Sequence, residues 1–392
     1  MTGVKRFASR LVGRQWAAVW AGALMLACLP LTTAAATCWP LWDRFNERFI
    51  QSDGRVIDHS VKQMHSTSEG QSYAMFFALV ANDKPAFNRL WQWSVNNLFE
   101  GQADQRLPAW QWGQKETGEW GVIDANSASD ADLWFAYALL EAAAFWKQPD
   151  YLSAANALLA QIIEQEVVPL PGLGKMLLPG KHGFADPDKQ RWRLNPSYLP
   201  VQLLQALAQH QPDGPWQEIA NNTVKLLSDS APQGLAPDWL AYEWDGQNGR
   251  FIADAEKGPV GSYDAIRTYT WAGMLPNKQG RPLLNTLSGM ARLTKAQPEQ
   301  WPPESVNVET GEAKAVGPVG FSAALLPYFS QRRERTLYAV QSKRVATELS
   351  DDADPQPTYY DYVLSLFGTG WDEKRYRFKL NGTLLLNPEK TC

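Results

Sequence analysis

The chain has 392 residues, 45% apolar and 20% charged, which is a globular composition and not that of a disordered or fibrous chain. A formal charge of −4 argues against a nucleic-acid partner, which needs basic surface. Only four histidines are present (His59, His65, His182, His210), without HExxH or paired CxxC spacing, so no zinc pattern exists; phosphate-loop, GxGxxG and G-x-S-x-G signatures are also missing.

In chain order, the first segment stands apart. Lys5, Arg6, Arg10 and Arg14 precede an apolar run over Ala17–Leu31 and then "TTAAATC", the pattern of a secretory signal cleaved near Ala36. The competing readings are a membrane anchor, for which the run is short, and a lipid-modified Cys28 in "LMLAC". Residues 1–37 carry four positive charges and no acid, so their removal takes the charge from −4 to −8. A single domain over 38–392 is then expected, periplasmic or secreted, with no membrane contact. Cys38 and Cys392 remain and can form one disulfide in an oxidising compartment.

The rest reads as paired amphipathic helices. Thr67–Ala81 pairs with Pro85–Phe99, Asp130–Trp146 with Asp150–Glu166, Pro196–His210 with Gly214–Ser228, Tyr263–Leu275 with Arg281–Thr294, and Phe321–Phe329 with Arg332–Leu349. Tyr359–Phe367 takes the N-terminal Trp39–Ile50 as its partner, which makes about six hairpins. Turns within pairs are short and carry breakers ("NDKP", "KQPD", "QPDGP", "PNKQG"). Connections between pairs are long, near 100–128, 167–195, 229–261 and 298–318. They hold Trp110, Trp112, Trp120, Trp192, Trp239 and Trp244 among the chain's 18 tryptophans. Asn381-Gly382 in "RFKLNGTLLLN" predicts a small closing β-ribbon.

First helices begin near 67, 129, 196 and 262. If up-down hairpins stack in a ring, these starts share one end of the molecule. That end receives Glu69, then Asp130 and Asp132, then Tyr198, then Tyr263, Asp264 and Arg267. Each acid has a structural alternative. Ser66-Thr67-Ser68-Glu69 fits a capping box, Asp130 fits an N-cap, and Asp264 fits a first-turn acid or an (i, i+3) partner of Arg267. Gly70 counts against a pure cap, since glycine inside a helix costs about 1 kcal/mol relative to alanine and is useful where a backbone or ligand approaches closely.

Paired acids beside stacking tryptophans point to glycosidic bond hydrolysis, in which one carboxylic acid protonates the leaving oxygen and a carboxylate activates water or attacks carbon. A helix start favours the charged form, which suits Asp264 as a base. Glu69 as proton donor requires burial, or a like-charged neighbour such as Asp130, to keep its proton near neutral pH.

The stretch "ASDADLWFAYALLEAAAFW", residues 128–146, resembles the signature of family 8 glycoside hydrolases, with Phe135 where that family carries isoleucine or methionine. The resemblance extends through "SEGQSYAMFFAL", "LPAWQWG" and "SYDAIRTYTWAGM" and is strongest to the periplasmic branch that accompanies bacterial cellulose synthase. It implies an all-α (α/α)6 barrel with long loops and a small β-ribbon at the cleft end. It also implies inverting endo-cleavage of β-1,4-glucan (cellulose), no cofactor and no metal, and a monomer working beside the synthase complex. By the same resemblance, Glu69 is the proton donor, Asp264 the base, and Asp130 a third essential acid that orients the central sugar and holds Glu69 protonated. Tyr263 and Arg267 are expected to position Asp264 and its water. Asp132, Trp110, Trp112, Trp192 and Tyr198 are the expected sugar contacts, with packing under loops as the alternative for Trp112 and Trp192. The rival functions are a non-catalytic glucan-binding or export factor, a hydrolase of xylan or chitosan, and a polysaccharide lyase; the acidic cluster disfavours the lyase.

Overall fold

The computed structural model describes residues 38–61, 64–350 and 352–387. Residues 1–37, where the leader is expected, and Cys392 lie outside the described residues. Cys38 is disulfide-bonded. Among the described residues no helix is long and apolar enough to cross a membrane.

Two kinds of helix alternate along the chain, and their burial separates them. Ser68–Val80 buries every residue except Glu69, and Ala265–Met274 buries every residue. Ser129–Trp146 is buried continuously from Ser129 to Leu139. Helices that are apolar all round belong inside other protein. Their partners carry a single stripe instead, as in Lys84–Asn97, where Ala86, Phe87, Leu90, Trp93 and Ser94 face inward. The result is an inner ring wrapped by an outer one, an (α/α)6 barrel with Pro40–Phe49 packed on the last inner helix, Tyr359–Asp372. The fifth inner helix is divided into Val319–Ala324 and Leu326–Arg332, with Pro327 opening the second piece. The fourth outer helix is divided into Asn277–Thr286 and Gly289–Ala296.

The barrel axis is filled by aromatic rings from several inner helices. Trp134 meets Phe76 at 4.9 Å, Phe367 at 5.1 Å and Trp271 at 5.4 Å between centroids, and Trp271 meets Phe367 at 5.0 Å. Edge-on and tilted pairs of this kind contribute about 0.5–1.5 kcal/mol each beyond the area they bury. Trp271 is therefore core.

The long connections are not structureless. Their short strands form small antiparallel sheets: Ser66–Thr67 with Gln111–Gln114 and Trp120–Asp124, and Ala185–Asp186 with Arg191–Leu194, Leu240–Trp244 and Gly249–Ala253. Strands of two to five residues give too few alternations to be read in advance. The C-terminal ribbon, Tyr376–Phe378 with Leu384–Leu386, forms as expected but at the other end of the barrel. Gly382 O accepts from Tyr137 Oη at 2.9 Å, and Gln279 Nε2 donates to Leu380 O at 2.8 Å. Tyr137 lies about two helical turns beyond Asp130. A groove of about 960 Å³ lies there, lined in part by Glu141, Phe145 and Leu385.

Close helix packing depends on glycine at one crossing in particular. A Cβ on Gly368 would lie 1.9 Å from Ala323 O, a backbone atom of the neighbouring inner helix. Gly368→Ala is expected to lower unfolding free energy by about 1–3 kcal/mol or more, read as a lower denaturant midpoint at unchanged m-value.

Candidate active site

Glu69 is the one residue of its helix left partly open, and it is not a cap. Thr67 occupies the N-cap, its Oγ1 accepting from Gly70 N at 3.1 Å. Ser66 faces inward, donating to Val56 O at 2.5 Å and accepting from Arg55 Nε at 2.8 Å. The Glu69 carboxyl is thus free to face the cleft, where Oε1 accepts from Trp110 Nε1 at 3.1 Å and Oε2 from Ser68 Oγ at 3.3 Å. Gly70 does mark a close approach, but the approaching group is protein: a Cβ there would lie 2.5 Å from the Tyr359 hydroxyl.

Asp130 sits in the first turn of Ser129–Trp146, whose N-cap is Ala128, so the capping alternative fails for it as well. It is 1% exposed. Oδ2 accepts from Tyr73 Oη at 2.9 Å and lies 3.7 Å from Arg267 Nη2, while Oδ1 accepts from Ala131 N at 2.8 Å. Tyr73 follows Glu69 by four residues, one helical turn, and so shares its face. Burial and the negative charge of Asp130 push the Glu69 carboxyl up to about 8. Burial raises Asp130 as well, but Arg267, the Tyr73 hydroxyl and Ala131 N all favour its charged form.

Asp264 occupies the N-cap position of Ala265–Met274 without capping it. Asp238 does so from another loop, Oδ1 accepting from both Ser262 N and Ala265 N at 2.7 Å. Burial and the nearby Asp264 raise Asp238 to about 6. Relieved of capping, Asp264 receives Arg267 Nη2 on Oδ1 at 2.9 Å and Trp239 Nε1 on Oδ2 at 3.0 Å. Arg267 Nη2 also donates to Ser197 Oγ at 2.9 Å, and its guanidinium lies 5.7 Å from the Tyr198 ring. The Tyr198 hydroxyl is raised by burial and then by the charges of Asp130, Glu69 and Asp264.

Other expected sugar contacts are redistributed. Asp132 is fully buried and faces Glu166, so it is not an open sugar contact. Trp192 is buried in the four-stranded loop sheet, its ring 6.2 Å from Tyr242. Trp112 is enclosed by Trp93 at 5.3 Å, Trp120 at 5.6 Å and the Arg55 guanidinium at 4.5 Å. Trp110 and Trp120 are the rings that stay open, and Trp120 had not been singled out. Tyr263 is 45% exposed; its hydroxyl donates to Glu304 Oε1 at 2.8 Å and not to Asp264, so it belongs to the rim. Trp239 was also missed, although it stands among the loop tryptophans. Its ring stacks on Phe184 at 5.9 Å with an 11° interplanar angle, with the Arg193 guanidinium 5.3 Å away.

Comparison with known proteins agrees with this geometry. Residues 13–374 match the family described as Glycosyl hydrolases family 8. The chain is 50% identical over 367 residues to an endoglucanase of Xanthomonas axonopodis pv. citri (strain 306), covering 92% of this chain and 93% of the relative. It is 46% identical over 370 residues to an endoglucanase of Escherichia coli (strain K12), covering 94% and 96%. The crystal structure of endo-1,4-D-glucanase from Vibrio fischeri ES114 superposes with a TM-score of 0.83 at 41% identity, over 89% of this chain and 99% of that one. An all-helical double barrel, an acidic cleft at one end of it and a family match over most of the length converge: the chain belongs to glycosyl hydrolase family 8.

Proposed function

We propose that this glycoside hydrolase is an exported endo-1,4-β-glucanase that cleaves β-1,4-glucan with inversion, Glu69 acting as general acid and Asp264 as general base. The observation that carries the reading is the contrast between the two carboxyls. Glu69 is kept protonated by burial and by Asp130, whereas Asp264 is ion-paired with Arg267.

Glu69 passes its proton to the glycosidic oxygen as the C1–O bond breaks. Asp264 takes a proton from a water whose oxygen attacks C1 from the opposite face. Glu69 ends as carboxylate and Asp264 as acid, and exchange with solvent restores both. No covalent sugar–enzyme bond forms, which leaves Asp130 to orient the central sugar and to hold Glu69 protonated. An acid and base in this relation stand about 6.5–9.5 Å apart, with room for water. Trp110, Tyr198 and Trp239 border the cleft as stacking surfaces, with Trp120 further out on the same loop sheet.

The basic, apolar and small-residue start of the chain supports export after cleavage near Ala36. Likeness to the cellulose-synthase-associated branch supports a monomer that trims nascent glucan beside the synthase. Viscosity and product length on carboxymethyl cellulose, xylan and chitosan test the substrate: a rapid viscosity drop on the first alone is the expected result.

Glu69→Gln and Asp264→Asn are each expected to keep folding and glucan binding while lowering turnover by about 10²–10⁴-fold, measured as kcat with binding followed separately. Proton NMR of fresh product from a β-linked oligomer is expected to show the α anomer first; the β anomer first means retention and removes the assigned role of Asp264.

Because turnover needs Glu69 protonated, kcat/KM is expected to fall as pH rises through about 8. Asp130→Asn removes a charge that favours the proton, so the alkaline limb is expected to move to lower pH. A limb that stays in place assigns the protonation of Glu69 to burial alone.

A further inference from the structure

Asp132 and Glu166 are both fully buried, one in the first turn of the second inner helix and the other just past its outer partner, Pro149–Gln165. Neither oxygen of Asp132 finds a donor, and neither does Glu166 Oε2. The group that the Asp132 carboxyl abuts is the Glu166 carboxyl itself. Two ionised carboxylates in contact, without a donor between them, is an arrangement that burial does not tolerate. A single shared proton resolves two of the three orphaned oxygens at this contact, because a protonated acid becomes a donor.

We infer that Asp132 and Glu166 form a carboxylic acid–carboxylate pair holding one proton, with Asp132 the donor to Glu166 Oε2, and that this pair positions the helix turn carrying Asp130. The direction of the bond follows from the surroundings. Glu166 Oε1 accepts from Ser127 Oγ at 2.6 Å, and Lys181 lies near enough to favour its charge, although Asp130 opposes it. Asp132 faces Glu166, Asp130 and Glu69, all of which oppose a charge on it. Burial raises both carboxyls, Glu166 to about 7. The pair also spans a junction. Ser127 Oγ accepts from Lys181 N at 3.0 Å, and Ser129 N donates to Pro179 O at 2.9 Å, so the strand leading into the catalytic helix and the 179–181 loop are tied at this point. Asp132 is thus a positioning residue without sugar contact.

The proton sharing is independent of the substrate; only its effect on turnover rests on the hydrolase reading. Infrared difference spectra of wild type minus Asp132→Asn at neutral pH are expected to show the C=O stretch of a protonated carboxylic acid. Absence of that band overturns the pair, whatever the enzyme hydrolyses. Asp132→Asn keeps a donor toward Glu166 and is expected to retain melting temperature and kcat, whereas Asp132→Ala strands Glu166 Oε2 and lowers both, with little change in KM. A raised KM in both variants at unchanged melting temperature makes Asp132 a sugar ligand and overturns the proposal. Both acids are raised in the folded state, so their contribution to stability is full below the ordinary carboxylate range and is lost as pH rises, for Glu166 through about 7 and for Asp132 well above the ordinary carboxylate range. Wild type is therefore expected to lose more stability than Asp132→Asn on going to alkaline pH, and an equal loss counts against the pair.

Discussion

One buried guanidinium organises the cleft. Arg267 is 8% exposed, and its Nη2 reaches Asp264 at 2.9 Å, Ser197 at 2.9 Å and Asp130 at 3.7 Å. An arginine cannot shed its charge in a protein, so the carboxylates around it are fixed partners and not optional ones. Removing the guanidinium costs about 3–5 kcal/mol, because the buried charge of Asp130 is left without compensation. Three elements are bound by this requirement: the start of the second inner helix through Asp130, the short helical turn at Ser197, and the start of the fourth inner helix through Asp264. Convergence of the acids is thus a condition of folding before it is a condition of chemistry.

The helical frame makes that convergence possible. Up-down hairpins in a ring bring every inner-helix start to one end, and the aromatic plug of Phe76, Trp134, Trp271 and Phe367 fixes the helices at the axis. Tyr73 joins the two levels. Its ring packs 5.2 Å from Phe367, and its hydroxyl donates to Asp130. Capping is delegated to residues outside the chemistry: Thr67 caps the helix of Glu69, and Asp238 caps the helix of Asp264. A carboxylate that accepts backbone N–H bonds is fixed in direction and favoured in its charged form. Both consequences would impair an acid that must present a proton.

The helical hairpins were legible in the sequence because amphipathic stretches pair across short breaker turns, and several first helices announce their starts with acids and turn residues; their closure into an (α/α)6 barrel was implied by the family resemblance. The loop sheets were not legible, since strands as short as Ser66–Thr67 carry no period. Glu69, Asp130, Asp264 and Arg267 were reachable from the shared geometry of helix starts. The buried place of Asp132, expected instead as a sugar contact, was not, because an acid two residues after Asp130 in a helix points elsewhere, and its partner Glu166 lies 34 residues downstream in what reads as a helix end. Trp192 and Trp239 show the same limit from the other side. Both are loop tryptophans near turn residues, yet strand pairing buries the first and leaves the second over Asp264. Gly70 identified a close approach correctly, but a glycine does not say whether ligand or protein fills the space.

The allocation of protons follows from the scarcity of cations. Glu69, Asp130, Asp132 and Glu166 share one buried region, and Asp264 and Asp238 lie at its edge, with Arg267 as the cation among them and Lys181 toward Glu166. Full ionisation would leave several unpaired charges away from water, which is far costlier than retaining protons on some of the acids. Protons settle where hydrogen-bond support for a charge is weakest. Asp130 has Tyr73, Ala131 and Arg267; Asp264 has Arg267 and Trp239; Glu166 has Ser127. Glu69 has neutral donors alone, in Trp110, its own backbone N–H and a long contact to Ser68, and Asp132 has no donor. The same accounting that leaves a proton on Asp132 as part of the frame leaves one on Glu69, where the chain is open to the cleft and the proton can be given away.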